Sequence, residues 1–295
     1  MNIIIREIIK NVKKLLPEAA NITVENIDKI NEKKTAVIVR LDSNLGAVIY
    51  VDDICSECES GCISVSEAAK KIVSNVQKAL KNKKSMQEKI SNIDFSDWNS
   101  VKSKIVPVLV NTELNREILK KRVHKDLSDL GLSVVYKLIV KKSIAGIESV
   151  PVNINLFDRW MVDRSVLHAA ALENGKRLFP VTTKNLADVL PIPIPKHGNE
   201  EESSLLYVSN DCGIDGAATI LYAQDVLEEL CNKRKKIFML PSSIHEFLIV
   251  ADEKEYNVEQ LKCIVREVNQ TALEPGDFLS DSVYGYSKER GIYIV

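Results

Sequence analysis

Residues 34–53 read KTAVIVRLDSNLGAVIYVDD, and this stretch decides the fold class. Two runs rich in β-branched residues, Thr35 to Leu41 and Ala47 to Val51, flank the turn-forming residues Ser43 to Gly46. This pattern is typical of a β-hairpin, in which neighbouring strands pair antiparallel.

Helices are predicted on both sides of the hairpin. The amino terminus repeats apolar residues with helical spacing from Ile4 to Leu15, and it has neither the composition nor the length of a secretory or membrane-spanning segment. Ser64 and Glu67 form a capping box ahead of a second helix, from about Val65 to Leu80. Helices intermixed with hairpins indicate an α+β class with mixed, mainly antiparallel sheets, rather than a doubly wound parallel sheet.

A polar and basic stretch, Lys81 to Asn92, is the best linker candidate, and a chain of 295 residues has the length for two cores. We therefore predict an N-terminal α+β subdomain over residues 1–90 and a C-terminal α+β domain over residues 91–295. In the second, strands are predicted at Ile237 to Leu240 and Phe247 to Val250, a helix at Val258 to Thr271, and a hairpin near the end. Residues 191–204, which combine alternating prolines with an acidic run, are predicted to form a surface loop.

Composition narrows the function classes. The chain holds 40 Lys and Arg against 41 Asp and Glu, so its net charge of −1 supplies no long-range field for a polyanion. This balance disfavours nucleic acid as a partner. Six cysteines are too few for a disulfide scaffold, and they indicate reduced thiols in the cytoplasm.

Three of these cysteines, Cys55, Cys58 and Cys62, lie together in ICSECESGC at residues 54–62. They form half of a tetrahedral zinc site at most, and the neighbouring acidic residues oppose a reactive thiolate. We interpret the stretch as a plain loop between strand and helix, with metal binding and redox chemistry as the alternatives, and we expect no cofactor.

The stretch LPSSIHE at residues 240–246, between two predicted strands, carries the candidate catalytic chemistry. Residues two apart in an extended backbone share a face, so Ser243 and His245 could act as nucleophile and base, with Glu246 as a carboxylate alternative. Pro241, Ser242 and Ser243 are equally typical of a turn whose hydroxyls bind backbone groups.

A further group of polar residues lies downstream of this stretch. Arg266 and Asn269 are three residues apart on the predicted helix, and Asp281 could pair with Arg266. Tyr284 follows shortly afterwards. A charged helix end is more often only a solvated face.

The ordered motifs of the carboxyl half carry a family resemblance: ALEN at 171–174, LPSSIHE at 240–246, VREVNQT at 265–271 and LSDSVY at 279–284. They resemble the bacterial domain-of-unknown-function 5688 family over most of the chain. A more distant likeness, on Ala171-Leu172, Asn174 and Phe179-Pro180 alone, is to the domain-of-unknown-function 1444 family. The resemblance implies no activity, but it attaches importance to the matching residues, which are Pro241, Ser242, Ser243, His245, Glu246, Arg266, Asn269, Ser280, Asp281 and Tyr284. The three clustered cysteines depart from the family pattern.

We therefore expect a cytoplasmic binding or regulatory module with an unknown protein or small-molecule partner. Its predicted ligand surface comprises residues 241–246, 266–269 and 280–284, and its candidate ligand-binding residues are Ser242, Ser243, His245, Arg266, Asn269, Asp281 and Tyr284. One alternative is a hydrolase that uses Ser243 and His245, and another is an accessory protein of a mobile element or of a host interaction.

Overall fold

The computed structural model describes residues 3–41, 46–81, 93–143, 146–189, 205–233, 236–250 and 257–295. These residues form two compact units, Met1–Ile93 and Asp94–Val295. Within the described residues every strand pairing is antiparallel, and helices accompany the sheets, so the fold is α+β. The predicted hairpin turn, most of the predicted linker and the predicted loop at 191–204 lie outside the described residues.

The described residues of the first unit form a three-stranded sheet and three helices. Its elements are α1 (Ile3–Leu15), β1 (Asn21–Lys29), β2 (Glu32–Arg40), β3 (Gly46–Tyr50), α2 (Asp52–Glu59) and α3 (Val65–Lys81). The sheet order is β1-β2-β3, and the β2–β3 pairing confirms the predicted hairpin. The core joins Val12 of α1, Val37 and Val39 of β2, and Ile72 and Val76 of α3.

The predicted capping box begins α3. Glu67 accepts hydrogen bonds from the backbone N–H of Ser64 at 2.8 Å and from its hydroxyl at 2.7 Å. In return, the backbone N–H of Glu67 donates to the Ser64 hydroxyl at 3.2 Å. These reciprocal bonds satisfy donors that a helix start leaves without partners, which explains why the prediction of this boundary is correct.

The cysteine stretch is a helix in part, and the prediction of a plain loop is wrong there. Val51, Ile54, Cys55 and Cys58 follow one another at i, i+3, i+4 and i+7 and turn towards the core of the first unit, which is helical periodicity. Both carboxylate oxygens of Asp52 accept the backbone N–H of Thr35, at 2.9 and 3.1 Å. This contact anchors the start of α2 to β2, and only the residues after Glu59 form a loop.

The second unit contains two sheets in the part of it that the structure describes. Its first part consists of α4 (Trp98–Val101), a 3₁₀ turn (Lys102–Lys104), β4 (Ile105–Asn111), α5 (Arg116–Leu119), β5 (His124–Leu127), a 3₁₀ turn (Ser128–Leu130), β6 (Leu132–Ser143), β7 (Gly146–Pro151), α6 (Ile154–Asp158) and α7 (Arg164–Leu178). Strand β6 pairs with β4 on one side and with β5 and β7 on the other. Strand β4, which contains Pro107, is thus an edge strand.

The second part of this unit consists of β8 (Val181–Asn185), α8 (Leu186–Val189), β9 (Leu205–Asn210), a 3₁₀ turn (Gly216–Leu221), α9 (Gln224–Lys233), β10 (Ile237–Pro241), β11 (Phe247–Val250), α10 (Val258–Thr271), a 3₁₀ turn (Pro275–Asp277), β12 (Tyr284–Ser287) and β13 (Gly291–Ile294). The sheet order is β13-β12-β10-β11-β9-β8. Helix α10 packs Leu261 and Val265 against this sheet. Its bounds match the prediction because Asn257 and Gln260 form a capping box at its start.

Helix α7 is tied to strand β4 by one buried amide. The Asn174 side chain donates to the carbonyl oxygens of Lys102 at 2.7 Å and Ile105 at 2.9 Å.

In the part of the chain that the structure describes, no helix is both long enough and apolar enough to cross a bilayer.

Candidate functional site

The Ser243 side chain holds the turn between β10 and β11. Its hydroxyl donates to Glu246 Oε1 at 2.8 Å and accepts the backbone N–H of His245, also at 2.8 Å. Ser243 is buried, with 4% of its surface exposed. A serine hydroxyl that bonds the backbone two residues ahead is typical of the structural turn that the sequence predicts as the alternative to catalysis.

The His245 imidazole connects three segments of the chain. Its Nδ1 accepts the backbone N–H of Asp215 at 3.1 Å, so the ring proton of the neutral form lies on Nε2. That nitrogen is 3.3 Å from Asp277 Oδ1. The imidazole is therefore bonded to Asp215 and Asp277 and makes no hydrogen bond to the Ser243 hydroxyl, and this geometry provides no serine–histidine pair.

The other predicted ligand residues hold the helix end and the following loop together. Asn269 donates to the Ser280 carbonyl at 3.0 Å and to Asp281 Oδ1 at 2.8 Å. Asp281 therefore takes Asn269 rather than Arg266 as its partner. Arg266 is exposed and Ser242 is half-buried, and neither belongs to this network. Tyr284 is buried and donates to the Leu130 carbonyl at 3.0 Å, and burial raises its pKa to about 12.

The structure brings part of the predicted surface together. The backbone N–H of Ile244 donates to the Asp277 carbonyl at 2.8 Å, so the 241–246 turn lies beside the segment that leads to residues 280–284. In these contacts the polar groups form hydrogen bonds with other groups of the protein. The 241–246 turn holds neighbouring residues in position, above all Asp215, through His245.

Asp215 begins the Gly216–Leu221 turn in the left-handed conformation, with φ of 53°. A Cβ at Gly216 would lie 2.1 Å from Ser209 Oγ and 2.3 Å from the His245 carbonyl oxygen, so only glycine allows this close approach. Ser209 donates to that same carbonyl at 2.7 Å. Strand β9, the turn at Gly216 and the turn at His245 thus fix the backbone of Asp215.

The Asp215 carboxylate forms an ion pair that links the two sheets of the second unit. Its Oδ2 lies 2.7 Å from Lys137 Nζ on β6, and the two side chains are 18% and 23% exposed. Lys137 is a charged residue within the apolar part of β6, and its neighbours Tyr136 and Leu138 are buried. A charge-assisted contact at this depth is screened less by solvent than one at the surface.

This ion pair lines a cavity of about 90 Å³. The cavity is open to solvent on one side. Its lining residues are Val106, Pro107, Lys137, Ile139, Ile147, Ser149, Gly175, Phe179, Asn210, Ile214, Asp215 and Tyr222.

Two polar groups of the lining are already satisfied. The Asn210 amide donates to the Ile214 carbonyl at 2.7 Å and accepts the Cys212 N–H at 2.9 Å. The Tyr222 hydroxyl donates to the Phe179 carbonyl at 3.1 Å, and burial followed by the charge of Asp211 raises its pKa. Lys137, Asp215 and Ser149 are the lining side chains left to bind a solute.

The sequence interpretation missed Lys137 and Asp215. They are 78 residues apart, and each is individually ordinary. A signal was present for each: a single lysine interrupts the apolar run from Leu132 to Val140, and two Asp/Gly turns follow β9.

The clustered cysteines differ in exposure: Cys55 is buried, Cys58 is half-buried and Cys62 is exposed. Within the described ranges, no group of three or more His, Cys, Asp or Glu side chains is placed to hold a metal ion. Burial, followed by the charges of Asp52 and Glu59, raises the pKa of Cys55 to about 11, so its thiol stays protonated near neutral pH. Cys55, Asp52 and Glu59 border a wide groove of about 500 Å³ in the first unit.

Residues 2–288 match the model of the family of unknown function DUF5688. The comparisons with curated proteins and with solved structures found no match.

Proposed function

The chain belongs to DUF5688, a family of unknown function, and we propose that it is a binding module that holds a small polar molecule in the cavity beside Lys137 and Asp215. One observation carries this proposal: a partly buried ion pair with spare hydrogen-bonding capacity lines a preformed cavity of about 90 Å³. A mostly apolar pocket with a few convergent polar groups is the general form of a ligand site.

The walls of the cavity come from rigid elements. Strands β4, β6 and β7 provide one side, helix α7 provides Gly175, and the segment from Asn210 to Tyr222 closes the other side. His245 and Gly216 hold Asp215 in place. A site whose polar groups are fixed before binding loses little entropy when the ligand arrives, which favours affinity.

Binding rather than catalysis is supported by the chemistry of the lining. Lys137 and Asp215 neutralise each other. Among the described lining residues, Ser149 has the hydroxyl that remains to bind a solute, and this hydroxyl has no base beside it that would make it a nucleophile. The predicted surface at 241–246 acts in this proposal as the support of the site. We place the protein in the cytoplasm, an assignment supported by six free cysteines.

Thermal unfolding with a panel of small probes tests the proposal. The panel contains carboxylates, amines, amino acids, sugars and inorganic phosphate. Unfolding is followed by tryptophan fluorescence, because Trp98 and Trp160 both lie in the second unit. A ligand at 100 times its Kd stabilises the folded state by about 2.7 kcal/mol, which corresponds to roughly 5–10 °C for a unit of this size.

Substitution of a lining residue locates the effect. Ser149→Trp fills the cavity from its exposed rim, whereas Ser165→Trp introduces the same side chain at an exposed site on α7 that does not line it. We expect a stabilising probe to act on wild type and Ser165→Trp but not on Ser149→Trp. Stabilisation that persists in Ser149→Trp, or the absence of any stabilising probe, would refute the proposal.

A further inference from the structure

The unused hydrogen-bonding groups in the cavity have opposite charges. A lysine ammonium has three N–H donors, and in the described structure Lys137 gives one of them to Asp215 Oδ2. Asp215 Oδ1 has no partner among the described residues. The cavity therefore presents a cationic donor and an anionic acceptor side by side.

From this arrangement we propose that the ligand is a zwitterion, an α-amino acid with an aliphatic side chain. The proposal rests on the function proposed above. The ligand carboxylate accepts from Lys137, and the ligand ammonium donates to Asp215 Oδ1. Four charges then alternate in sign around a ring, and the ion pair of the protein stays intact.

A ligand with a single charge does not fit this ring. An anion binds Lys137 but is repelled by Asp215 at 2.7 Å from that nitrogen, and a cation is repelled by Lys137 in the same way. Either ligand also leaves one polar group of the cavity without a partner, which is costly in a partly buried site. The Lys137–Asp215 ion pair therefore selects a ligand by the arrangement of its two charges rather than by its net charge.

An apolar wall lies beside the ion pair. Val106, Ile139 and Phe179 are buried and face the cavity. The cavity of about 90 Å³ is smaller than the roughly 150 Å³ that enclose a benzene ring, so it takes up the charged end of the amino acid. An aliphatic side chain then extends along the apolar wall towards the open side of the cavity.

Isothermal titration calorimetry with three matched probes tests the inference. L-valine has both charges, 2-methylpropan-1-amine lacks the carboxylate, and 3-methylbutanoate lacks the ammonium. We expect wild type to bind L-valine at least tenfold more tightly than each of the other two.

Variants assign the contacts. Asp215→Asn keeps the shape but removes the negative charge, and Lys137→Gln removes the positive one. Each is expected to weaken L-valine binding at least tenfold. Lys141→Gln is the matched control, because it removes a lysine of the same strand that pairs with Glu148 and does not line the cavity. If Lys137→Gln fails to fold, as judged by tryptophan fluorescence, Asp215→Asn and Ser149→Trp decide the result.

The outcomes separate the two proposals. Equal affinity for L-valine and a single-charge probe, or unchanged L-valine binding in Asp215→Asn, overturns the zwitterion inference. If L-valine does not bind while another panel probe stabilises wild type but not Ser149→Trp, the ligand class is wrong and the binding site stands. If no probe acts through the cavity, both proposals fail.

Discussion

Replacement of Gly216 by alanine should disrupt the support of the candidate site. The added Cβ would lie 2.1 Å from Ser209 Oγ, 2.3 Å from the His245 carbonyl oxygen and 3.0 Å from the Asn210 nitrogen. Two of these three atoms belong to the backbone, so rotation of a side chain cannot relieve the overlap. The 241–246 turn must move away from the turn at Gly216.

The expected cost follows from two effects. Forcing an extra methyl group into a packed site costs about 1–3 kcal/mol. The same movement breaks the hydrogen bond from Ser209 to the His245 carbonyl, 2.7 Å long, and leaving these buried groups without partners costs about 1–3 kcal/mol more. Together they lower the free energy of unfolding of the second unit by about 4 kcal/mol, or roughly 10 °C in Tm.

Urea unfolding followed by tryptophan fluorescence measures this cost, because both tryptophans lie in the second unit. Gly213→Ala is the matched control: its φ of +64° is left-handed, but no atom lies within 4 Å of the new Cβ, so we expect a loss of about 1 kcal/mol. The double variant Ser209→Ala/Gly216→Ala should remain destabilised relative to Ser209→Ala, because the His245 carbonyl still blocks the Cβ. A Gly216→Ala protein as stable as Gly213→Ala would refute the steric argument.

Three further results are expected. Asn174→Leu leaves the carbonyl oxygens of Lys102 and Ile105 without their donor. It should lower the free energy of unfolding, measured in urea, by about 3 kcal/mol. A loss below about 0.5 kcal/mol, as for an ordinary surface substitution, would contradict this prediction. Hydrogen bonds from the Ser64 backbone and hydroxyl hold the pKa of Glu67 below its usual value. The capping stability is thus present above the unfolded pKa of about 4.3 and is lost as pH falls through the lowered folded value, a dependence that circular dichroism should detect in wild type and not in Glu67→Gln. With iodoacetamide at pH 8, exposed Cys62 should react at least tenfold faster than buried Cys55, and equal rates by peptide mass spectrometry would show that burial does not protect Cys55.

Local patterns were sufficient to predict much of the architecture. The hairpin of β2 and β3, the strand Phe247–Val250 and the helix Val258–Thr271 are determined by residues within a few positions of one another, through side-chain periodicity and capping. The failure to predict β1 and α2 has a physical reason in each case. Strand β1, NITVENIDK, has no fully buried residue and so a weak apolar signal, and α2 is short and masked by the spacing of its cysteines.

The candidate site was predicted only in part. The position of LPSSIHE between two strands was predicted, with catalysis and a structural turn as alternatives. His245 contacts two other segments, but its partners are Asp215 and Asp277 rather than Ser243. Nothing local distinguishes these outcomes, because a histidine two residues from a serine has the same sequence signature whichever way its ring points.

The sequence alone therefore determined the α+β class, the bounds of several helices and strands and the position of LPSSIHE between two strands, since these depend on interactions between neighbours along the chain. The tertiary structure decided that Lys137 meets Asp215 across 78 residues and that a cavity opens beside them. An ion pair of this kind exists only once two sheets have packed, because the free energy that holds the charges together comes from a partly buried position that neither segment has by itself.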